Sequence, residues 1–182
     1  MSTAASRPRS EPARLIVVMG VSGCGKSDVG AALAAALGGT FLDGDAYHPQ
    51  SNIEKMSRGD PLTDEDRWPW LDRFARELAK RRGRVIGGCS ALKRAYRERI
   101  ASAAGQPVLF VHLAGSKALI AERMNARSGH FMPPSLLDSQ FNTLEAPGSD
   151  ENAITVDIDG SVDQIVEDIM TQFEARRVNP PA

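Results

Sequence analysis

Residues 20–27 read GVSGCGKS and directly follow the apolar run LIVVM. They match the pattern G-x-x-x-x-G-K-[ST], in which glycines let several backbone N–H groups face one point at the start of a helix and bind phosphate oxygens. Lys26 would reach the β- and γ-phosphates of a nucleoside triphosphate, and the Ser27 hydroxyl would coordinate Mg²⁺. The predicted nucleotide-binding residues are Gly20, Val21, Ser22, Gly23, Cys24, Gly25, Lys26 and Ser27.

Two aspartates, Asp43 and Asp45, follow the second apolar run of the chain. The carboxyl ends of parallel strands meet at one edge of a sheet, so both side chains are expected to face the γ-phosphate. A carboxylate in that place can orient an acceptor hydroxyl and take its proton, and a metal ion needs oxygen ligands. The two aspartates could divide these tasks, whereas a polar turn after a strand is the plainer alternative.

Arg123 and Arg127 are four residues apart and are predicted to share one helix face, just before the segment SGHF at 128–131. A lid over about residues 124–140 that carries these arginines would exclude water and neutralise charge on the transferring phosphoryl group. The alternative is an exposed basic helix end that the helix dipole favours.

Other nucleotide-binding classes have signatures that this chain lacks. A guanine-binding N-K-x-D motif is absent from the sequence, and the third apolar run ends in GGCS at 87–90 without a carboxylate. Switch GTPases and larger ATPases are therefore less well supported than a small-molecule kinase.

Apolar runs alternate with helical patterns along the whole chain. The predicted strands cover 14–19, 40–43, 84–89, 107–113 and 153–158, and the predicted helices cover 27–37, 50–57, 64–82, 92–103, 116–127, 135–145 and 162–175. This alternation predicts a three-layer α/β/α fold around a five-stranded parallel sheet. The length of 182 residues fits one domain, here 14–175, between an N-terminal tail at 1–13 and a C-terminal tail at 176–182.

Composition excludes several partners. The net charge of −1 gives no basic field for nucleic acid, and no run of about 18 apolar residues predicts a membrane span. The N-terminus lacks the apolar segment of a secretory signal. Cys24 lies in the phosphate loop, where a disulfide would hinder the nucleotide, so two reduced thiols in a cytoplasmic protein are expected for Cys24 and Cys89.

Four blocks of the sequence resemble the gluconokinases of bacteria and eukaryotes. They are FLDGDAYHPQSNIEKMSRGDPLTDEDRWPWL at 41–71, CSALKRAYR at 89–97, ARSGHF at 126–131 and QFNTLEAPGSDE at 140–151. The resemblance implies transfer of phosphate from ATP to the terminal hydroxyl of D-gluconate, which yields 6-phospho-D-gluconate for the pentose phosphate pathway. It further implies the thermoresistant type, a homodimer, and the P-loop kinase fold of shikimate and nucleoside monophosphate kinases, with strand order 2-3-1-4-5, a helical substrate-binding region and a mobile lid.

The same resemblance implies roles for individual residues. Asp45 would contact the acceptor hydroxyl, Asp43 would act near Mg²⁺, and His48 would hydrogen-bond the polyol. Lys26, Asp45 and Arg127 would form the catalytic set. The adenine would lie between Arg123 and the loop at 159–161.

The carboxylate of gluconate requires a cationic partner. The candidates are Arg58, Lys93 and Arg97, of which Lys93 and Arg97 are four residues apart and are predicted to share a helix face. Arg67 is predicted to form a structural ion pair, and Trp68 and Trp70 are predicted to pack in the core. A kinase for another small acid such as shikimate, and a nucleotide-binding switch protein without transfer chemistry, remain as alternatives.

Overall fold

Five strands form one parallel sheet in the computed structural model, which describes residues 13–127 and 134–178. In chain order they are β1 (Leu15–Met19), β2 (Thr40–Asp43), β3 (Val85–Gly88), β4 (Val108–Ala114) and β5 (Ala153–Asp157). Their spatial order is β2-β3-β1-β4-β5, and every neighbouring pair is parallel. The predicted α/β class and strand order are confirmed, and all five strands end at the same edge of the sheet.

Helices connect these strands. They are α1 (Lys26–Leu37), α2 (Gln50–Ser57), α3 (Asp64–Lys80), α4 (Arg94–Ala104), α5 (Lys117–Ala126), α6 (Pro134–Thr143) and α7 (Val162–Val178), with a short 3₁₀-helix at Gly44–Tyr47. Within the described part of the chain, no helix is both long and apolar enough to cross a membrane. The last helix continues three residues past the predicted end at 175, so the segment 176–178 is helical.

The helices cover both faces of the sheet. Ile16 and Val18 of β1 point to the face covered by α1, α5 and α7, whereas Leu15, Val17 and Met19 point to the face covered by α3 and α4. All five side chains are fully buried. Such two-sided burial is what a continuous apolar run in a parallel sheet requires, and it confirms the three-layer architecture.

Two helix starts follow their sequence signals closely. Thr63 caps α3 by accepting from the Asp66 N–H at 3.2 Å, and Asp66 returns the contact by accepting from the Thr63 N–H at 2.8 Å. Ser116 caps α5 by accepting from the Leu119 N–H. The reciprocal contact at α3 is a capping box, which satisfies two helix-end donors at once.

The capping box also ties α3 to α2, because Lys55 Nζ lies 2.6 Å from Asp66 Oδ2. The hydrogen bond from Lys55, followed by those from Thr63, lowers the pKa of Asp66 from its ordinary value to about 2. A carboxyl group whose pKa is lowered by folding stabilises the fold above its unfolded pKa, and that stability is lost as the pH falls through its folded pKa.

We therefore expect the stability difference between the wild type and Asp66→Asn to be full at neutral pH and to shrink as the pH falls from about 4 toward 2. Urea unfolding at several pH values measures it. Asp60→Asn, at an exposed ion pair with Arg58, is the matched control and should show little difference at any pH. A difference for Asp66→Asn that stays constant with pH would contradict this assignment.

Candidate active site

The phosphate loop lies between β1 and α1 at the carboxyl edge of the sheet. Gly23 and Gly25 have φ of 80° and 98°, a region that favours glycine. A Cβ on Gly23 would also lie 2.5 Å from Cγ of Met124 on α5. Lys26 Nζ donates to the carbonyls of Gly20 at 3.1 Å and Val21 at 3.0 Å. The predicted loop thus adopts a backbone conformation that requires glycine at these positions. Its lysine folds back onto the carbonyls of the same loop.

The Cys24 thiol is fully buried, and burial raises its pKa while Lys26 acts in the opposite direction. The buried Cys24 side chain is therefore not accessible to a ligand. Cys89 at the end of β3 is also a buried free thiol.

Gln140 on α6 holds the phosphate loop through two hydrogen bonds to Ser22. The Ser22 N–H donates to Gln140 Oε1 at 2.6 Å, and Gln140 Nε2 donates to Ser22 Oγ at 3.0 Å. Gln140 was not predicted as a site residue, although it lies at the end of the predicted lid and begins the block QFNTLEAPGSDE. The contact joins residues 118 positions apart, so sequence spacing gives no sign of it.

The aspartate turn lies beside the loop with one strand between them. Asp43 pairs with Gly88 of β3, and Gly88 pairs with Val18 of β1. Because neighbouring strands are about 4.8 Å apart, the Asp43 backbone lies roughly 10 Å from that of β1. The turn is pressed against β3, since a Cβ on Gly44 would lie 2.4 Å from the Gly88 carbonyl oxygen.

The loop lysine and the two aspartates are close enough to act on one common group. Burial raises the pKa of the Cys89 thiol to about 12, and the charges of Asp45, Lys26 and Asp43 all act on the same thiol. The fields of the loop lysine and of both aspartates therefore overlap at the end of β3. Within the turn, Asp43 Oδ1 accepts from the Asp45 N–H at 3.0 Å, and the Asp45 side chain is 82% exposed.

His48 follows this turn and is packed against α3. Its ring stacks on Trp70 with centroids 4.0 Å apart, and its Nε2 lies 4.0 Å from Asp45 Oδ1. Burial lowers the pKa of His48, an effect that Asp45 opposes and Arg67 adds to. Trp70 is itself buried and donates through Nε1 to the Gly44 carbonyl at 2.8 Å. Trp70 thus supports both the histidine and the aspartate turn, and its predicted core packing is confirmed.

The three cationic candidates have different environments. Arg58 is exposed at the end of α2 and pairs with Asp60 at 3.3 Å. Lys93 Nζ contacts both carboxylate oxygens of Asp64 at 3.1 Å, and this hydrogen bond raises the pKa of Lys93. The Tyr96 hydroxyl donates to the same carboxylate.

Arg97 lies in the interior. Its Nε and Nη2 contact the Glu151 carboxylate at 3.0 and 2.9 Å, and its Nη1 donates to the carbonyls of Ala91 and Leu92. The prediction that Lys93 and Arg97 share a helix face is wrong, because Lys93 precedes α4 in an extended conformation. Four of the five guanidinium N–H groups are used by the protein, so Arg97 has little capacity left for a gluconate carboxylate.

We expect Arg97→Met to lower the free energy of unfolding by about 3 kcal/mol, since the largely buried Glu151 then keeps only the more distant Arg94 Nε, at 3.8 Å, as a cationic neighbour among the described residues. Urea unfolding measures this. Arg76→Met removes an exposed side chain that lies 3.9 Å from Asp72, and Asp72 keeps its shorter pair with Arg99, so the variant should cost no more than about 0.5 kcal/mol. Unchanged stability together with a raised KM for gluconate would instead support substrate binding by Arg97.

The blocks CSALKRAYR (89–97) and QFNTLEAPGSDE (140–151) are in contact through hydrogen bonds and ion pairs. Besides the pair of Arg97 with Glu151, the Arg94 N–H donates to Glu145 Oε2 at 2.7 Å, and Arg94 Nη2 contacts Asp150 at 2.8 Å. None of these acidic residues was predicted as a partner. Both blocks therefore contribute to holding the turn that follows β3.

The two lid arginines point in different directions. Arg127 follows α5 in an extended conformation and pairs with Asp28 of α1. Arg123 donates to the carbonyls of Ile158 at 2.6 Å and Gly160 at 3.2 Å. The predicted shared helix face is therefore wrong, although Arg123 does reach the predicted adenine loop at 159–161. The lid residues 128–133 lie outside the described residues.

The first turns of α3 contain Arg67 and Trp68. Arg67, predicted to form an ion pair, donates to the Leu62 carbonyl at 2.5 Å and lies over the Tyr96 ring at 5.4 Å. Trp68 is partly buried against the core and meets Tyr96 edge to face. Arg67 is thus structural, as expected, but through a carbonyl and a ring.

Comparison with known proteins identifies relatives along most of the chain. A family model described as "AAA domain" matches residues 15–147. The chain is 48% identical over 165 residues to a gluconokinase of Gluconobacter oxydans (strain 621H), covering 89% of this chain and 92% of that one. It is 44% identical to the thermosensitive gluconokinase of Escherichia coli (strain K12), over 90% of this chain and 89% of that one, and 43% identical to the thermoresistant enzyme, over 84% and 89%.

A solved structure agrees with the fold. The crystal structure of a gluconokinase from Sinorhizobium meliloti 1021 superposes with a TM-score of 0.83 at 48% identity, and it covers 91% of this chain and 94% of that one. Similarity of this extent includes the sheet and both of its helical layers.

Proposed function

The chain belongs to the gluconokinase family, and we propose that it transfers the γ-phosphoryl group of ATP to the terminal hydroxyl of D-gluconate. The products would be ADP and 6-phospho-D-gluconate. The observation that carries this proposal is the placement of a phosphate loop and a two-aspartate turn at one edge of the sheet, separated only by β3. A triphosphate on the loop would present its terminal phosphate toward the aspartates.

The loop supplies binding and charge stabilisation. Its N–H groups and the N-terminus of α1 would hold the phosphates, while Lys26 would follow the γ-phosphoryl group as negative charge develops on it. The Ser22 N–H is engaged by Gln140 and would become available to a phosphate only if that contact opened. Binding of ATP and the position of α6 are therefore expected to be linked.

Asp45 would act on the acceptor. Its carboxylate is exposed, its backbone is fixed by Asp43, and its charge is felt at the end of β3 together with that of Lys26. The hydroxyl oxygen of gluconate would form a bond to the γ-phosphorus while the bond from that phosphorus to the ADP oxygen breaks. The hydroxyl proton would pass to Asp45.

The residues Ser27 and Asp43 fit a role in binding Mg²⁺. Both offer oxygen atoms, and Asp43 uses only Oδ1 for the Asp45 N–H. Magnesium in nucleotide sites commonly binds one or two protein oxygens, water and the phosphates, so a dense carboxylate cluster is not required. When bound, the ion would offset charge on the β- and γ-phosphates.

Lys93 and Arg58 are our candidates for the carboxylate end of gluconate. Lys93 is one-third exposed and lies over the Tyr96 ring at 5.5 Å, next to the start of α3. Arg58 is largely exposed at the end of α2. Arg97 would contribute indirectly, because it donates to the carbonyls of residues 91–92 and so holds the turn that precedes Lys93.

The arginines of α5 would act at the ATP end. Arg123 fixes the loop after β5, where we propose that the adenine binds. Arg127 pairs with an exposed aspartate on α1 that it could exchange for a phosphate. Closure of a lid over about residues 124–140 would then bring Arg127 to the transferring group.

An ADP-release assay with gluconate, shikimate, other sugar acids and nucleoside monophosphates tests the proposal. We expect turnover with gluconate well above that with the other acceptors. Turnover with a different acid would favour the alternative kinase, and ATP binding without acceptor-dependent ADP release would favour a switch protein. Identification of the product as the 6-phosphate tests the reacting hydroxyl.

The finer assignments are separate proposals. The chain is about equally identical to the thermosensitive and thermoresistant E. coli enzymes. For the thermoresistant type that we propose, activity should survive heating that inactivates the thermosensitive E. coli enzyme assayed in parallel. Light scattering in solution tests the proposed homodimer. Fractionation of the source cells tests the proposed cytoplasmic location.

A further inference from the structure

Asn52 on α2 is a buried polar side chain that no predicted role accounts for. It is only 3% exposed, and its Nδ2 donates to the Asp66 carbonyl at 2.9 Å. Because a backbone carbonyl can only accept a hydrogen bond, the atom facing it must be the amide nitrogen and not the amide oxygen. The orientation of the Asn52 amide is thereby fixed by α3.

The same nitrogen also faces His48. Asn52 Nδ2 lies 3.3 Å from His48 Nδ1, and an amide nitrogen has two protons and no acceptor lone pair. With one proton directed to the Asp66 carbonyl, the second is available for His48, so Nδ1 must be the acceptor. A neutral histidine that accepts at Nδ1 carries its proton at Nε2.

The protonated nitrogen faces the acceptor side of the site. His48 Nε2 lies 4.0 Å from Asp45 Oδ1, and the stack on Trp70 restricts rotation of the ring. The charged groups that act on this ring are Asp45 on the 3₁₀-helix and Arg67 on α3. An Nε2–H can donate to Asp45 or to a substrate oxygen, but it cannot take the proton of the acceptor hydroxyl.

We propose that Asn52 is a positioning residue that fixes the Nε2–H tautomer of His48, so that His48 presents a donor and leaves Asp45 as the only base for the acceptor hydroxyl. The kinetic part of this proposal rests on the proposed function, whereas the tautomer itself does not. Asp66 takes part through its backbone, so the capping box of α3 and the orientation of His48 depend on the same residue.

The tautomer can be read directly from the wild-type protein. Two-bond ¹H–¹⁵N correlation spectra distinguish a protonated from an unprotonated ring nitrogen, and the chain has three histidines. His48→Gln assigns the His48 signals. We expect a neutral ring with the proton on Nε2 at pH 7.5, with or without ATP. A proton on Nδ1, or a rapidly exchanging mixture, would overturn the proposal without reference to any substrate.

Asn52→Asp tests whether the Asn52 amide fixes the tautomer of His48. A carboxylate in place of the amide removes the donor and favours a proton on Nδ1, so the His48 spectrum should change to the Nδ1–H or doubly protonated form. If gluconate is the substrate, kcat should fall about 10- to 100-fold, by analogy with the loss seen when the orienting partner of a metal-bound histidine is removed. The KM for ATP should stay within about twofold.

Asn152→Asp makes the same chemical change at an exposed position and serves as the control. Asn152 Nδ2 also donates to a backbone carbonyl, that of Val108 at 2.9 Å, but at the opposite end of the sheet. Because Asn152 is exposed, Asn152→Asp should lose less stability than Asn52→Asp, and it should leave the His48 spectrum and kcat unchanged. Equal losses of kcat in the two variants would reduce Asn52 to a structural role. An unchanged His48 tautomer in a folded Asn52→Asp protein would also overturn the proposal.

Discussion

Asp45→Asn is expected to lower kcat with gluconate by about 10²- to 10⁴-fold, the usual contribution of a general base. Asparagine retains the size of the side chain but cannot take the hydroxyl proton. The fold should survive, because the Asp45 side chain is 82% exposed and the turn is fixed by other contacts. These are the Asp43 carboxylate on the Asp45 N–H and the Trp70 indole on the Gly44 carbonyl.

Steady-state kinetics and urea unfolding together measure this effect. Asp168→Asn, at an exposed position of α7, makes the same chemical change away from the site and should leave both quantities unchanged. ATP affinity, measured by titration, should also change little in Asp45→Asn. A variant that keeps more than half of the wild-type kcat would remove the proposed role of Asp45 as base.

Elements with strong local signals were predictable from the sequence. The strand at 40–43 and the helix at 50–57 have the predicted bounds, and Thr63 and Ser116 cap the predicted helices. In each case the determinants lie within a few residues: an apolar run, a proline at the entry, or a capping side chain. The order of the strands came from the resemblance, since alternation alone does not fix which strands are neighbours.

The start of α4 shows what local signals cannot reveal. It was predicted at Leu92, but the helix begins at Arg94 because Ala91 has φ of 43° and Lys93 is extended. Nothing in ALKRAYR marks this break, since non-glycine residues seldom adopt such a φ. The turn is held by Arg97 on the carbonyls of Ala91 and Leu92 and by the Glu145 N–H on Leu92. These contacts come partly from a segment some 50 residues further along the chain.

In the candidate site, too, the short local patterns were predictable and the long-range contacts were not. The phosphate loop and the aspartate turn were recognisable because each is a short pattern after a strand. The partners that orient them were not, since Gln140, Glu151 and Asn52 act through contacts that only the folded chain brings together. Asn52 had the best chance of detection, because it follows His48 by four residues on a predicted helix entry.

Lys26→Ala is expected to lower kcat/KM for ATP by at least about 10²- to 10³-fold, because it removes a preorganised positive charge from the transferring phosphoryl group. Among the described residues, the hydrogen bonds of this side chain go to the carbonyls of Gly20 and Val21 in its own loop, so the free energy of unfolding should change little. Lys26→Arg should also be strongly impaired. A planar guanidinium is larger than an ammonium group and cannot take the same position between two carbonyls.

The Lys26 variants separate charge from geometry. If charge alone sufficed, Lys26→Arg would recover most of the activity lost in Lys26→Ala; if the position of Nζ matters, both variants fail. Lys80→Ala is the matched control, since Lys80 forms an exposed ion pair with Glu77 at the far end of α3. It should behave as the wild type in kinetics and in unfolding. Near-normal turnover in Lys26→Ala would contradict the proposed catalytic role of Lys26. Retained ATP binding without turnover would not, because the loop N–H groups alone can hold a phosphate.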